Sequence, residues 1–151
     1  MATLVDLEYA KTHLRVDAGD EDLLIAGQLS AAERLAMSWI RRNIYKDQTA
    51  LDAAVADVES FLGAAADTYE AALAEAMALP NVLAKQSAIS AAQENLKDAQ
   101  GEAKLTRRGR VLDGLFTSAV LLTLGALYEN RELQSPPPVA QLLLEPLRAY
   151  G

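Results

Sequence analysis

Asp22 to Arg42 reads DLLIAGQLSAAERLAMSWIRR, and its spacing decides the fold. Leu24, Ile25, Leu29, Ala32, Leu35, Ala36, Trp39 and Ile40 recur every three or four residues, the stripe of an amphipathic helix. Glu33, Arg34, Arg41 and Arg42 fall away from that stripe. Upstream, Leu4, Leu7, Ala10 and Leu14 repeat the helical spacing. Thr3 followed by Asp6 resembles a capping box with Asp in place of Glu, which predicts a short first helix ending near Arg15. The stretch Asp17-Ala18-Gly19-Asp20-Glu21-Asp22 then supplies turn residues, a cap and acids for the next first turn.

Downstream, Leu51, Val55, Val58, Leu62, Ala65, Tyr69, Leu73 and Ala76 make a heptad-like seam in an alanine-rich background. Pro80-Asn81 interrupts it, and Ile89, Ala92, Leu96, Ala99 and Ala103 resume one face from Val82 to about Leu105. The two stretches predict a long antiparallel helical hairpin. From Val111 to Tyr128 the chain is apolar around most of a helical circumference, with Phe116 among its largest side chains. Such a helix must be covered on several sides, and neighbouring copies are one way for a small domain to cover it. Ser135-Pro136-Pro137-Pro138 forces an extended or helix-starting segment before a last apolar turn at Val139, Leu142 and Leu143. No strand is expected. The predicted fold is all-α: a small helical bundle core from residues 1-46 and 107-151, with an inserted acidic, alanine-rich hairpin over 47-106.

At 151 residues the chain is long enough to bury a core, and without cysteine it has neither disulfides nor a thiol nucleophile. The net charge of -7 argues against a general nucleic-acid binder. Ten acids and three bases lie between Asp47 and Thr106, so the remainder of the chain is neutral. The uncharged run Gly114 to Tyr128 falls short of the ~20 apolar residues of a membrane span. Asp6 and Glu8 stand where a secretory signal would be basic, so the protein is expected to stay where it is made.

Residues that carry chemistry are sparse. His13 is the sole histidine and reads as a helix-end residue. The acids at Asp17, Asp20, Glu21 and Asp22 lack the alternation, glycine and closing glutamate of a calcium loop and read as helix caps. Neither a phosphate-cradling loop nor a catalytic constellation is present, so no catalytic residue, metal or cofactor is expected and the chain is not expected to be an enzyme. Arg107, Arg108 and Arg110 form a basic patch that, placed at a helix start, would oppose the dipole and require an acidic partner. Trp39 and Tyr128 read as core or interface anchors. Arg131 is expected to tie the apolar helix to another segment or subunit through a charge-assisted hydrogen bond. Trp39, Arg107, Arg108, Arg110, Phe116, Tyr128 and Arg131 are therefore the expected oligomer or partner interface.

Both ends of the chain carry a resemblance. Leu7-Glu8-Tyr9-Ala10-Lys11-Thr12-His13-Leu14-Arg15-Val16-Asp17, with Asp22-Leu23-Leu24-Ile25 and Ala31-Ala32-Glu33, resembles the opening of the phage head-tail connector (adaptor) family. Leu127-Tyr128-Glu129-Asn130-Arg131-Glu132, Pro138-Val139, Leu142-Leu143 and Pro146-Leu147-Arg148 resemble its closing signature. The resemblance covers Met1 to Ile44 and Val111 to Gly151, and departs from the family's shorter connection between Asp47 and Thr106. It implies an all-α neck protein of the virion, made in the bacterial host cytoplasm and assembled into a ring, usually of twelve. The portal protein would lie on one side of that ring and a downstream neck or tail protein on the other, with DNA as passing cargo. The alternative is a helical-bundle regulator or chaperone that binds a protein partner through the acidic hairpin.

Overall fold

The computed structural model describes residues 3–17, 19 and 21–151. The fold is all-α. The chain divides into two compact units, one of Met1–Gln48 with Gly109–Gly151 and the other of Thr49–Arg108.

In the first unit, α1 (Leu7–Leu14) starts at Asp6, whose carboxylate accepts from the Tyr9 amide. The cap is thus Asp6 and not Thr3, whose hydroxyl instead donates to the Val5 carbonyl. Helix α2 (Asp22–Ile40) follows. Both helices end on an arginine in the left-handed region, Arg15 at φ 57° and Arg41 at φ 55°, where glycine is usual. Bonds from Val16 to the Lys11 carbonyl and from Arg42 to the Met37 carbonyl close the two ends. Ile25, Leu29, Ala32, Ala36 and Ile40 of the α2 stripe are buried, whereas Leu24 is exposed and Leu35 and Trp39 only half-buried.

Helix α6 (Gly114–Glu129) is capped by Asp113, which accepts from the Phe116 amide. It packs on α2, on α1 and on α7 (Pro138–Leu144). Three helices of its own unit therefore enclose Phe116, Ala119, Val120, Leu121, Leu124 and Leu127, and Thr123 satisfies its hydroxyl on the Ala119 carbonyl. Of the ways to cover this helix, the chain's own helices supply most of it, and Leu115 and Tyr128 are its large side chains left exposed. Its start is also later than the apolar run suggests. Ile44–Tyr45 (β1) pairs in parallel with Arg110–Val111 (β2), so Val111 lies in a short strand pair that periodicity did not foresee. A two-residue pairing is too short to leave an alternation in sequence. The segment after α7 turns through Glu145–Leu147, and the Ala149 amide donates to the Ile40 carbonyl, fixing this terminus to the end of α2.

The second unit begins with most of α3 (Gln48–Ala56) and continues with α4 (Val58–Met77) and α5 (Val82–Arg107). Backbone bonds from Asp57 to the Ala53 carbonyl and from Phe61 to the Asp57 carbonyl carry the chain from α3 into α4. Pro80 and Asn81 lie between α4 and α5, and the Asn81 side chain caps α5 by accepting from Leu83 and Ala84. The two helices pack together, with Phe61 lining one hollow beside Glu102 and Thr106 and Ala65 and Tyr69 lining another beside Leu96 and Ala99, so α4 and α5 run in opposite directions. Their contact is extensive and built on small side chains. Val58, Ala76, Ala92 and Ala103 are the residues buried in it.

Because β1 and β2 are neighbours in one unit, the chain leaves and returns at nearly the same place. Excising Thr49 to Arg108 and joining Gln48 to Gly109 by a Gly/Ser linker of about eight residues should leave a folded helical protein. Circular dichroism should show one cooperative melting transition. A non-cooperative melt would count 49–108 as part of the core.

Candidate functional site

The C-terminal half of α2 turns Ala32, Ala36 and Ile40 inward, which places Arg34, Ser38 and Arg41 on the outer side. Two open hollows lie along that side and share Leu35 and Ser38. The larger, ≈ 470 Å³, is walled by Arg34 and Arg131 over Leu127 and Leu133. The smaller, ≈ 230 Å³, is lined by Trp39, Arg41, Pro136 and Arg148. The Arg148 guanidinium lies 4.8 Å from the Trp39 ring centre, a cation–π contact that holds both side chains in place. Its nearest carboxylate, Glu145, stands at 3.9 Å and also accepts the Tyr150 hydroxyl. Among the described residues, no carboxylate pairs with Arg34, Arg41 or Arg131, and the buried Trp39 Nε1 has no acceptor. The result is a cationic groove with an apolar floor on a chain of net charge -7.

The structure brings Trp39 and Arg131 of the expected interface to this groove, with Tyr128 adjacent in sequence to Leu127 in its floor. It does not bring the others. Phe116 is wholly buried in the core of its own unit and presents no surface to a partner, so its interface assignment is withdrawn. The basic patch is not a helix start. Arg107 closes α5 and Arg108 is its C-cap, where cations complement the dipole, while Arg110 lies in β2. Arg107 also donates to Glu59 Oε1 at 3.0 Å, so the demand for an acidic partner at this cluster falls away.

The acids before α2 serve tertiary contacts more than capping. Glu21 is the N-cap but makes no side-chain cap bond; it accepts the Tyr128 hydroxyl at 2.8 Å, which ties the end of α6 to the start of α2. That carboxylate holds the Tyr128 hydroxyl above the ordinary phenol range. Asp22 lies 3.0 Å from Lys11 Nζ, which also donates to Glu8. The two carboxylates, Asp22 foremost, raise the Lys11 pKa. Ala18 and Asp20 of the expected turn lie outside the described residues. His13 is exposed in the last turn of α1.

Arg131 is exposed and makes no ion pair among the described residues, so the expected tie is not made to another segment of its own chain there, and another subunit is left as its place. Arg131→Ala should therefore change the unfolding free energy by no more than about 0.5 kcal/mol. A drop of several degrees in Tm would restore the structural role. Arg34, Arg41 and Arg148 were not singled out from sequence. The i, i+4, i+7 spacing of Arg34, Ser38 and Arg41 on the polar side of α2 was the signal for two of them.

Comparison with protein families, with curated proteins and with solved structures finds no match. Among the described residues, no group of three or more His, Asp or Glu side chains is arranged to hold a metal, and no helix is long and apolar enough to cross a membrane.

Proposed function

We propose that this chain is a structural subunit of the head-tail connector of a tailed bacteriophage, acting by geometry and without chemistry. Copies form a ring in the virion neck, usually of twelve. The ring binds the portal protein on one side and a downstream neck or tail protein on the other, and leaves a channel for DNA. One observation supports the reading above others. The two stretches that resemble the family lie at opposite ends of the sequence, yet they fold into a single unit around one apolar core. The departure from the family's pattern falls largely in the other unit.

The test is docking to purified portal protein, followed by sedimentation velocity. The expected result is a saturable complex holding several copies of the chain per portal assembly. Failure to bind at any ratio would remove the proposal.

A second reading, a regulator or chaperone that grips a protein through the acidic helical pair, has its own support. Met77, Leu79, Val82 and Leu83 are exposed around the α4–α5 turn, with Leu83 at 75%. An apolar tip on an acidic arm suits transient capture of unfolded chains. Suppression of aggregation of a heat-denatured client, lost on Val82→Ser with Leu83→Ser, would favour it over the connector reading.

A further inference from the structure

We propose that the arginine-walled groove on the outer side of α2 is the acceptor for the acidic helix α4 of a second copy of this chain. The groove supplies cations that the fold leaves uncompensated. Arg34, Arg41 and Arg131 have no carboxylate partner among the described residues, and Arg148 has only Glu145, at 3.9 Å. Guanidinium groups are the cations best suited to paired contacts with carboxylates, because each presents a planar fork of donors and is weakly hydrated. Leu35, shared by both hollows, adds an apolar floor.

The same chain carries the matching surface. No Lys, Arg or His occurs from Asp47 to Ala84, and α4 holds Glu59, Asp67, Glu70 and Glu75. Glu59 is paired with Arg107, but Asp67, Glu70 and Glu75 are exposed and meet no cation within ion-pair distance among the described residues. All three lie off the Leu62–Tyr69–Leu73 seam, between small alanines that let a helix approach a wall closely. Surplus cations over an apolar floor and surplus anions on a small-residue helix are thus complementary surfaces on identical chains. The floor favours a protein occupant over a nucleic-acid backbone, whose phosphates need charge and no apolar contact. The inference rests on the self-association that the ring reading requires, and does not involve the portal.

The test uses two full-length variants and the wild-type chain in sedimentation equilibrium, with circular dichroism to check folding. Arg34→Glu with Arg131→Glu reverses the groove; Asp67→Lys with Glu70→Lys and Glu75→Lys reverses the helix. All five positions are exposed, so both variants should fold. The wild type should self-associate in a way that weakens with added salt. Each variant alone should associate at least roughly tenfold more weakly, since like charges then face each other. An equimolar mixture should recover most of the lost affinity, because between unlike chains the exchanged positions again set opposite charges against each other, with Arg41 and Arg148 left unchanged.

A wild type that stays monomeric at the highest attainable concentration overturns the inference, as does a mixture that fails to recover. Retention of labelled duplex DNA that is lost with Arg34→Glu and Arg131→Glu, without self-association, would assign the groove to phosphates and also overturn it. Portal docking is scored separately on the same wild-type chain. Its absence would remove the connector reading and leave a recovered mixture unexplained by anything but this contact.

Discussion

Phe116→Ala is expected to lower the unfolding free energy by about 3–5 kcal/mol, the largest effect of any single change considered. The ring is fully enclosed within one unit, in the core that also holds Leu29, Leu124 and Leu144. Its removal loses the transfer free energy of the side chain and leaves a cavity that helices on several sides cannot collapse to fill. In a chain of this size the melting temperature should fall on the order of 10 °C or more. The experiment separates two accounts of the residue. If thermal unfolding of the dilute chain were unchanged while association was lost, Phe116 would be an interface residue after all.

The second large effect concerns Glu33, which the helical pattern placed on the polar side and the structure buries at 5% exposure. Its Oε1 accepts from the Val5 amide at 2.8 Å and so anchors the segment before α1 to α2. Glu33→Ala would leave that buried amide unpartnered at a cost of about 1–3 kcal/mol, and would also release the segment that buries Val5. Glu33→Gln keeps an acceptor and should retain most of the stability.

Burial pushes the Glu33 carboxyl above the ordinary glutamate range, and the amides of Val5 and Leu4 offset this only in part. A carboxyl raised in the folded state binds its proton more tightly there than in the unfolded chain. Its contribution is therefore greatest at low pH, declines as pH rises from the ordinary range through the raised value, and is constant above it. Subtracting the pH profile of Glu33→Gln from that of the wild type should reveal this falling limb. Parallel profiles, or a Glu33→Ala variant as stable as the wild type, would mean that the carboxylate is solvated.

The contrast between Glu33 and the α2 stripe shows what was legible. Ile25, Leu29, Ala32, Ala36 and Ile40 declared their burial because helical spacing is a local property that one face of one helix must satisfy. The Pro80-Asn81 break and the resumed face of α5 were legible for the same reason, as was the all-α class. Glu33 was misread because what buries it is a segment 28 residues away, and no pattern within α2 reports that crossing. The start of α6 was misjudged at Val111 because a two-residue strand and an apolar helix end look alike in sequence.

The candidate site was less legible than the fold. Trp39 and Arg131 are legible as interface candidates, but the groove that includes them also needs Arg34 within α2, Arg41 at its C-cap and Arg148 after the last helical turn. Phe116 was assigned outward because hydrophobicity alone does not tell a core side chain from an interface side chain. The sequence reading puts the arginines at 107, 108 and 110 at a helix start because their place depends on where α5 ends, two residues later than the expected end near Leu105.

Electron microscopy of the wild-type chain mixed with purified portal protein tests the central claim most directly. The account predicts a closed ring of identical copies, coaxial with the portal and open along its axis, with the unit formed by the two chain ends building the wall. Portal particles that remain bare at saturating chain, or carry copies scattered without a common axis, would contradict it.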